Sequence, residues 1–250
     1  MHGLIHTDMA LKVISQDANA LAFLLNGVSK PRWKTPDTQK ETWLKEWMDS
    51  PDHKGHQFIS KNDHSYKLDK EKNKFVIRFI KKRADQGTVV ERLKLSVRQI
   101  LDWKTEEEYR ICSIELAKSI HWIVDVTSPP HTSFGWEEDE NNGKNLHCEI
   151  ESDFDNEWKK LLDLNKTEFG RANEIKDIYK WAKALAESRY DRNIELLKLY
   201  RANKSIKKPE GKKLAQDVIQ DIAQNIADYL AFIDKKIKFN LIIPKLKENG

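Results

Sequence analysis

The stretch His121–Glu151 constrains this chain more than any other. It spaces histidine and acid at a four-residue interval twice, His121 with Asp125 and His147 with Glu151, and sets Pro129, Pro130 and His131 between the pairs. On a helix, residues i and i+4 lie one turn apart on one face, so each pair brings an imidazole and a carboxylate together. Two such pairs predict two helices facing one site. Proline lacks the backbone donor and restricts the residue before it. Pro129 and Pro130 are therefore expected to stop the first helix and leave His131 on a turn beyond its end.

Taken singly, a histidine four residues from an acid is as readily a solvated ion pair as a metal site. The distribution of histidine says more. All eight histidines (2, 6, 53, 56, 64, 121, 131 and 147) fall in the first 147 residues and none in the remaining 103, an asymmetry that a single metal centre would explain and charge-driven solubility would not. Imidazole nitrogen with carboxylate oxygen, and no paired thiolates, suits Zn²⁺ ahead of Mn²⁺ or Fe²⁺.

The combined pattern, His121-x3-Asp125-x5-His131 followed by His147-x3-Glu151, resembles the metal signature of the zinc-dependent phospholipase C family, which includes the catalytic domain of the clostridial alpha-toxin. The other ligands of that family are the amino terminus, an early histidine, and an Asp followed by a His. His6 fits the early histidine, and Asp52 with His64 fits the Asp and His. His53 or His56 with Asp37 competes for the latter assignment. By position, the resemblance implies one zinc on His131, His147 and Glu151, and a second on Asp52, His64 and His121. It implies a third on His6 and the backbone of Met1, with Asp125 bridging the last two. Position 1 of the family is a tryptophan; only its backbone ligates, so Met1 can substitute if its amine is free.

The same resemblance implies phosphoester hydrolysis with up to three Zn²⁺ ions, Asp52 doubling as general base on the attacking water. The expected reaction is that of a phospholipase C, cleaving glycerophospholipids at a membrane surface to diacylglycerol and a phosphorylated headgroup. Single-strand-specific zinc nucleases are similar to this family, but usually close on His-x3-Asp; His147-x3-Glu151 is the phospholipase form. A nuclease or phosphatase, with nucleic acid as partner, is the first alternative. A non-catalytic zinc-binding helical protein is the second. Aromatic and acidic residues able to cage a choline headgroup are not evident around His2–Ile5 or His53.

Composition agrees with a helical chain. With 39% apolar and 34% charged residues, nine Gly and seven Pro, a sandwich or a disordered chain is disfavoured. The expectation is an all-α protein, a single multi-helix domain over residues 1–250 around a buried multi-zinc site. Helical periodicity starts at His6 and stops near Asn26-Gly27. Thr38 with Glu41 reads as a capping box, Asp49–Lys74 as a long loop, and Phe75 as the start of another helical stretch. Thr105 is expected to cap the central helix, running to about Val126. Trp136–Lys144 reads as a polar turn. Amphipathic patterns cover Phe154–Leu164, Ala172–Tyr200 and Lys212–Ile237, and Phe239–Ile243 reads as an extended tail.

The longest apolar run, Ala20–Leu25, is far short of the roughly 20 residues of a membrane span. A net charge of +4 is mild and does not mark a dedicated nucleic-acid binder. Cys112 and Cys148 are expected to be free thiols, and the protein a monomer. No charged-then-apolar leader opens the sequence. An extracellular or periplasmic protein is expected if this is a mature form, and a cytoplasmic one if Met1 is native.

Overall fold

The computed structural model describes residues 4–31, 39–52, 66–71, 74–77, 88–103, 105–136, 138–139, 144–169, 175–202 and 204–248. They form an all-α fold. In chain order come α1 (Ala10–Ile14), α2 (Ala18–Gly27), α3 (Lys40–Asp49), β1 (Leu68–Glu71), β2 (Lys74–Ile77), α4 (Val89–Asp102), α5 (Glu106–Thr127) and α6 (Pro129–Thr132). Next are β3 (Glu138–Asp139), β4 (Lys144–Asn145), α7 (Leu146–Leu161), α8 (Ile178–Ser188), α9 (Tyr190–Arg201), α10 (Pro209–Ile237) and α11 (Phe239–Glu248). The described strands make two small antiparallel hairpins, β1 with β2 and β3 with β4. Among the described residues, no helix is long and apolar enough to cross a membrane.

Helix α5 is the axis of the fold. Thr105 and Glu108 form a reciprocal capping box at its start, satisfying donors that the first turn cannot pair internally. Helices α2, α3, α4, α8 and α10 all pack against it, and every residue from 119 to 133 is buried. Polar groups along this buried length find partners. Asn225 of α10 donates to Thr127 Oγ1 at 2.9 Å, and the Tyr229 hydroxyl donates to Ser119 Oγ at 2.8 Å. At Gly27, α2 approaches so closely that an added Cβ would lie 1.9 Å from Ser113 Oγ.

Several local expectations are corrected. The stretch from Phe75 is not helical where described: Phe75 and Val76 lie in β2, paired with Lys70 and Asp69 of β1. The tail Phe239–Ile243 is not extended. Lys238 takes a left-handed conformation, φ 58°, the chain turns, and Asp234 Oδ1 accepts the Phe239 N–H at 2.7 Å. Helix α11 then places Phe239 in a stacked contact with Phe23 of α2, ring centroids 4.7 Å apart. The Ala172–Tyr200 pattern is two helices, broken at Arg189. Thr38 lies outside the described residues, and α3 takes Gln39 as its N-terminal cap. Cys112 and Cys148 are free thiols, the first buried and the second exposed.

Candidate metal centre

His6 sits in a widened turn, Ile5–Met9, in which the Met9 N–H reaches back five residues to Leu4 O at 2.9 Å. Two contacts hold this turn. The Ile5 N–H donates to Asp155 Oδ1 of α7 at 3.1 Å, and Lys45 of α3 pairs with Asp8 at 2.7 Å. His6 is thereby laid against α5. Its ring stacks on His121, with centroids 4.2 Å apart, and its Nε2 lies 3.1 Å from Asp125 Oδ1. One turn before Asp125, His121 points Nε2 at Asp125 Oδ2, 3.4 Å away. Its other nitrogen, Nδ1, lies 3.0 Å from the Met48 carbonyl at the end of α3. A carbonyl only accepts, so Nδ1 donates to it and Nε2 is the nitrogen turned to the site, the arrangement that orients metal-ligating histidines.

The second group adjoins the first. The prolines do end α5, but His131 does not project from an open turn: Pro129 and Pro130 begin a new one-turn helix, α6, with His131 as its third residue. Proline suits a first turn because its missing N–H would be unpaired there. On the other side, α7 starts at Leu146, capped by Asn145, and sets His147 and Glu151 on one face. Glu151 Oε1 lies 2.9 Å from His147 Nε2 and 3.0 Å from His131 Nε2. His131 Nε2 is also 3.5 Å from Asp125 Oδ1. Asp125 therefore touches imidazoles of both groups.

Both groups, His6 with His121 and Asp125 and His131 with His147 and Glu151, bring one ligand atom per residue within 4.8 Å of one another. Among the described residues they are the groups able to hold a metal ion. The donor set fits zinc: neutral imidazole nitrogens with carboxylate oxygens, largely buried, and no thiolate. His131 Nδ1 is buried without a hydrogen-bond partner among the described residues.

Electrostatics follow from burial and proximity. Burial alone would raise the Asp125 carboxyl, but His131, His121 and hydrogen bonds from His121 and His6 outweigh it and hold it well below the usual carboxylate range. His131 goes the other way: burial opposes its protonation, yet Asp125 and Glu151 raise its pKa. His147 is lowered, because burial and the charge of His131 outweigh Glu151. Without metal, the two histidines on Glu151 are thus shifted in opposite directions.

The remaining expected ligands fall where less is described. Met1 and His64 lie outside the described residues, as do Asp37, His53 and His56. Asp52 ends the short turn Ser50–Asp52 that follows α3, four residues beyond the carbonyl that orients His121. Two groups at the site were not marked by the sequence. One is the Met48 carbonyl. The other is Lys67, buried at 1% exposure with Nζ on the Pro130 carbonyl.

Fold and site together define an all-α protein with two adjoining groups of side chains able to hold metal ions. No family model matches the chain, and no curated protein matches it in sequence. Among solved structures it is similar to the crystal structure of Clostridium perfringens alpha-toxin from an avian strain. The TM-score is 0.49 and the identity 15%, over 87% of this chain and 63% of that one. This chain thus spans less than two thirds of that protein, and a likeness at this level assigns neither family nor activity.

Proposed function

We propose that the chain is a zinc-dependent phosphoester hydrolase, and specifically a phospholipase C acting on glycerophospholipids at a membrane surface. The observation that most supports this reading is the junction of the two groups at Asp125, whose Oδ1 is 3.1 Å from His6 Nε2 and 3.5 Å from His131 Nε2. When bound, neighbouring zinc ions lower the pKa of a water and stabilise charge on phosphoryl oxygens. The protein's own groups do the rest. His121, fixed by the Met48 carbonyl, and Glu151, shared by His131 and His147, hold the ligand atoms in place. Asp52 takes the proton from the attacking water as the phosphorus–oxygen bond to glycerol breaks, and that proton passes to the departing glycerol oxygen, leaving phosphate on the headgroup and a hydroxyl on diacylglycerol. The resemblance to the phospholipase family extends the ligand set to Asp52, His64 and the backbone of Met1, a complement of up to three ions within one domain acting as a monomer.

The test combines a metal count with a substrate panel. Zinc is expected to co-purify with the protein at two to three ions per chain. Phospholipid vesicles should be cleaved faster than single-stranded DNA or bis-(p-nitrophenyl) phosphate. Faster cleavage of single-stranded nucleic acid would make the protein a nuclease. Zinc binding with no turnover of any of the three would make it a binding protein.

A further inference from the structure

Tyr66, Lys67 and Leu68 are consecutive and all buried, at 2%, 1% and 1% exposure. A lysine is almost never fully buried unless its charge is compensated, so something at this position repays the desolvation. The segment runs alongside the turn that carries His131. The Tyr66 N–H donates to the His131 carbonyl at 2.7 Å, and the Phe134 N–H donates to the Leu68 carbonyl at 2.9 Å. Leu68 also bridges to Ser133 in parallel register. Side chains leave this strap in different directions. The Tyr66 hydroxyl is raised to about 12 by burial and by Tyr179, Glu187 and Glu91, which places it toward α8 and α4. The Lys67 ammonium goes to the Pro130 carbonyl, one residue before His131.

That point adjoins the second ligand group. Pro130 immediately precedes His131, whose ring stands edge-on to that of His147 with centroids 4.8 Å apart. Both rings meet at Glu151 Oε1. At 1% exposure the Lys67 side chain is covered, and its ammonium is turned to the Pro130 carbonyl. We propose that Lys67 is a positioning residue for the His131, His147 and Glu151 metal site, its buried ammonium holding the Pro130 carbonyl so that α6 aims His131 Nε2 at Glu151. The proposal rests on the reading of that group as a metal site. It adds a residue outside the ligand set on which the ion's affinity depends.

The experiment compares wild type, Lys67→Met, which keeps the stem and removes the charge, and Lys67→Arg, which keeps a cation and donors. Each is stripped with chelator, its unfolding is checked, and it is titrated with Co²⁺, whose visible absorption reports ligand geometry. Loss of a partner outside the ligand set typically weakens a metal by roughly 10- to 100-fold. In Lys67→Met, one ion is expected to weaken by that factor with an altered Co²⁺ spectrum, while the other binds as in wild type. Lys67→Arg should restore the affinity. His147→Ala identifies the affected ion, since adding Lys67→Met to it should weaken nothing further. Wild-type Co²⁺ affinity in Lys67→Met overturns the proposal and leaves the metal centre standing. Equal weakening of both ions together with a lower melting temperature of the stripped protein also overturns it, as a general packing role. Should Lys67→Met not fold, Lys67→Gln against Lys67→Arg decides by the same criteria. No Co²⁺ or Zn²⁺ binding by wild type would instead overturn the reading on which the proposal rests.

Discussion

Replacing Asp125 by asparagine preserves the shape of the side chain and removes its charge. The residue is fully buried, and its carboxylate lies 3.1 Å from His6 Nε2, 3.4 Å from His121 Nε2 and 3.5 Å from His131 Nε2. Removing one partner from a buried charge pair costs about 3–5 kcal/mol. At about 1.4 kcal/mol per factor of ten, that is roughly two to three and a half orders of magnitude in affinity for an ion that takes Asp125 as ligand. The group at Glu151 keeps its own carboxylate, so the larger loss is expected at one ion. Mass-spectrometric zinc counting after gel filtration, with competition against a chromophoric chelator, measures it. Stripped of metal, the two proteins should also differ in acid. Burial pushes the Asp125 carboxyl up, but the imidazoles win and hold it below its unfolded value. A depressed pKa contributes stability above the unfolded value, and that stability is lost as pH falls through the folded one. The metal-free wild type should therefore lose melting temperature below about pH 4 more steeply than Asp125→Asn. A variant with the wild-type zinc count and affinity, and a superimposable acid profile, would refute the account of Asp125 as the shared anion.

Zinc uptake should release protons. In the metal-free protein, stability from His131 is fully present below its unfolded value near 6.5 and is lost as pH rises through its raised folded value. Near neutral pH more of this ring is protonated than of an ordinary imidazole, and that proton must leave for the ring to ligate. Calorimetry in buffers of different ionisation enthalpy detects the release, and zinc binding without it would contradict the electrostatics of the site. In the scaffold, Gly27→Ala should lower stability by about 1–3 kcal/mol through overpacking. The new Cβ would sit 1.9 Å from Ser113 Oγ and 2.4 Å from Ser113 Cβ, and that hydroxyl is held by Tyr109 O at 3.0 Å. For a protein of this size the melting temperature falls roughly 2–4 °C per kcal/mol. Adding Ser113→Gly should recover most of the loss, and an unchanged melting temperature in Gly27→Ala would show that α2 and α5 part easily.

The central helix was legible because its determinants are local. Thr105 and Glu108 cap one end, and Pro129 limits the other. The i,i+4 pairs were legible for the same reason, since His121 with Asp125 and His147 with Glu151 need only a helix to come together. Less local features were hidden. Phe75 and Val76, with Phe79 and Ile80 beyond, carry a helical spacing, and only pairing with Asp69 and Lys70 makes the first two a strand. Phe239 and Ile242 look β-prone in isolation, but three residues apart they share one helix face, which α2 covers. Tertiary packing overrode propensity there. Lys67 was the least legible of all. It stands in a polar, lysine-containing stretch, and nothing in composition separates a buried ammonium from a solvated one.

The two ligand groups differ in how far along the chain they must be gathered, and this bears on the order in which the molecule assembles. His131 and Glu151 are 20 residues apart, whereas His6 and Asp125 are separated by 119. Loop-closure entropy grows with the logarithm of that separation, so closing the longer loop costs about 1.6 kcal/mol more. The α6–α7 group can therefore gather early in folding, from a short and nearly contiguous piece of chain. The His6 group closes only when the amino-terminal turn docks between α3, α5 and α7. An ion bound there would tie the start of the chain to its middle.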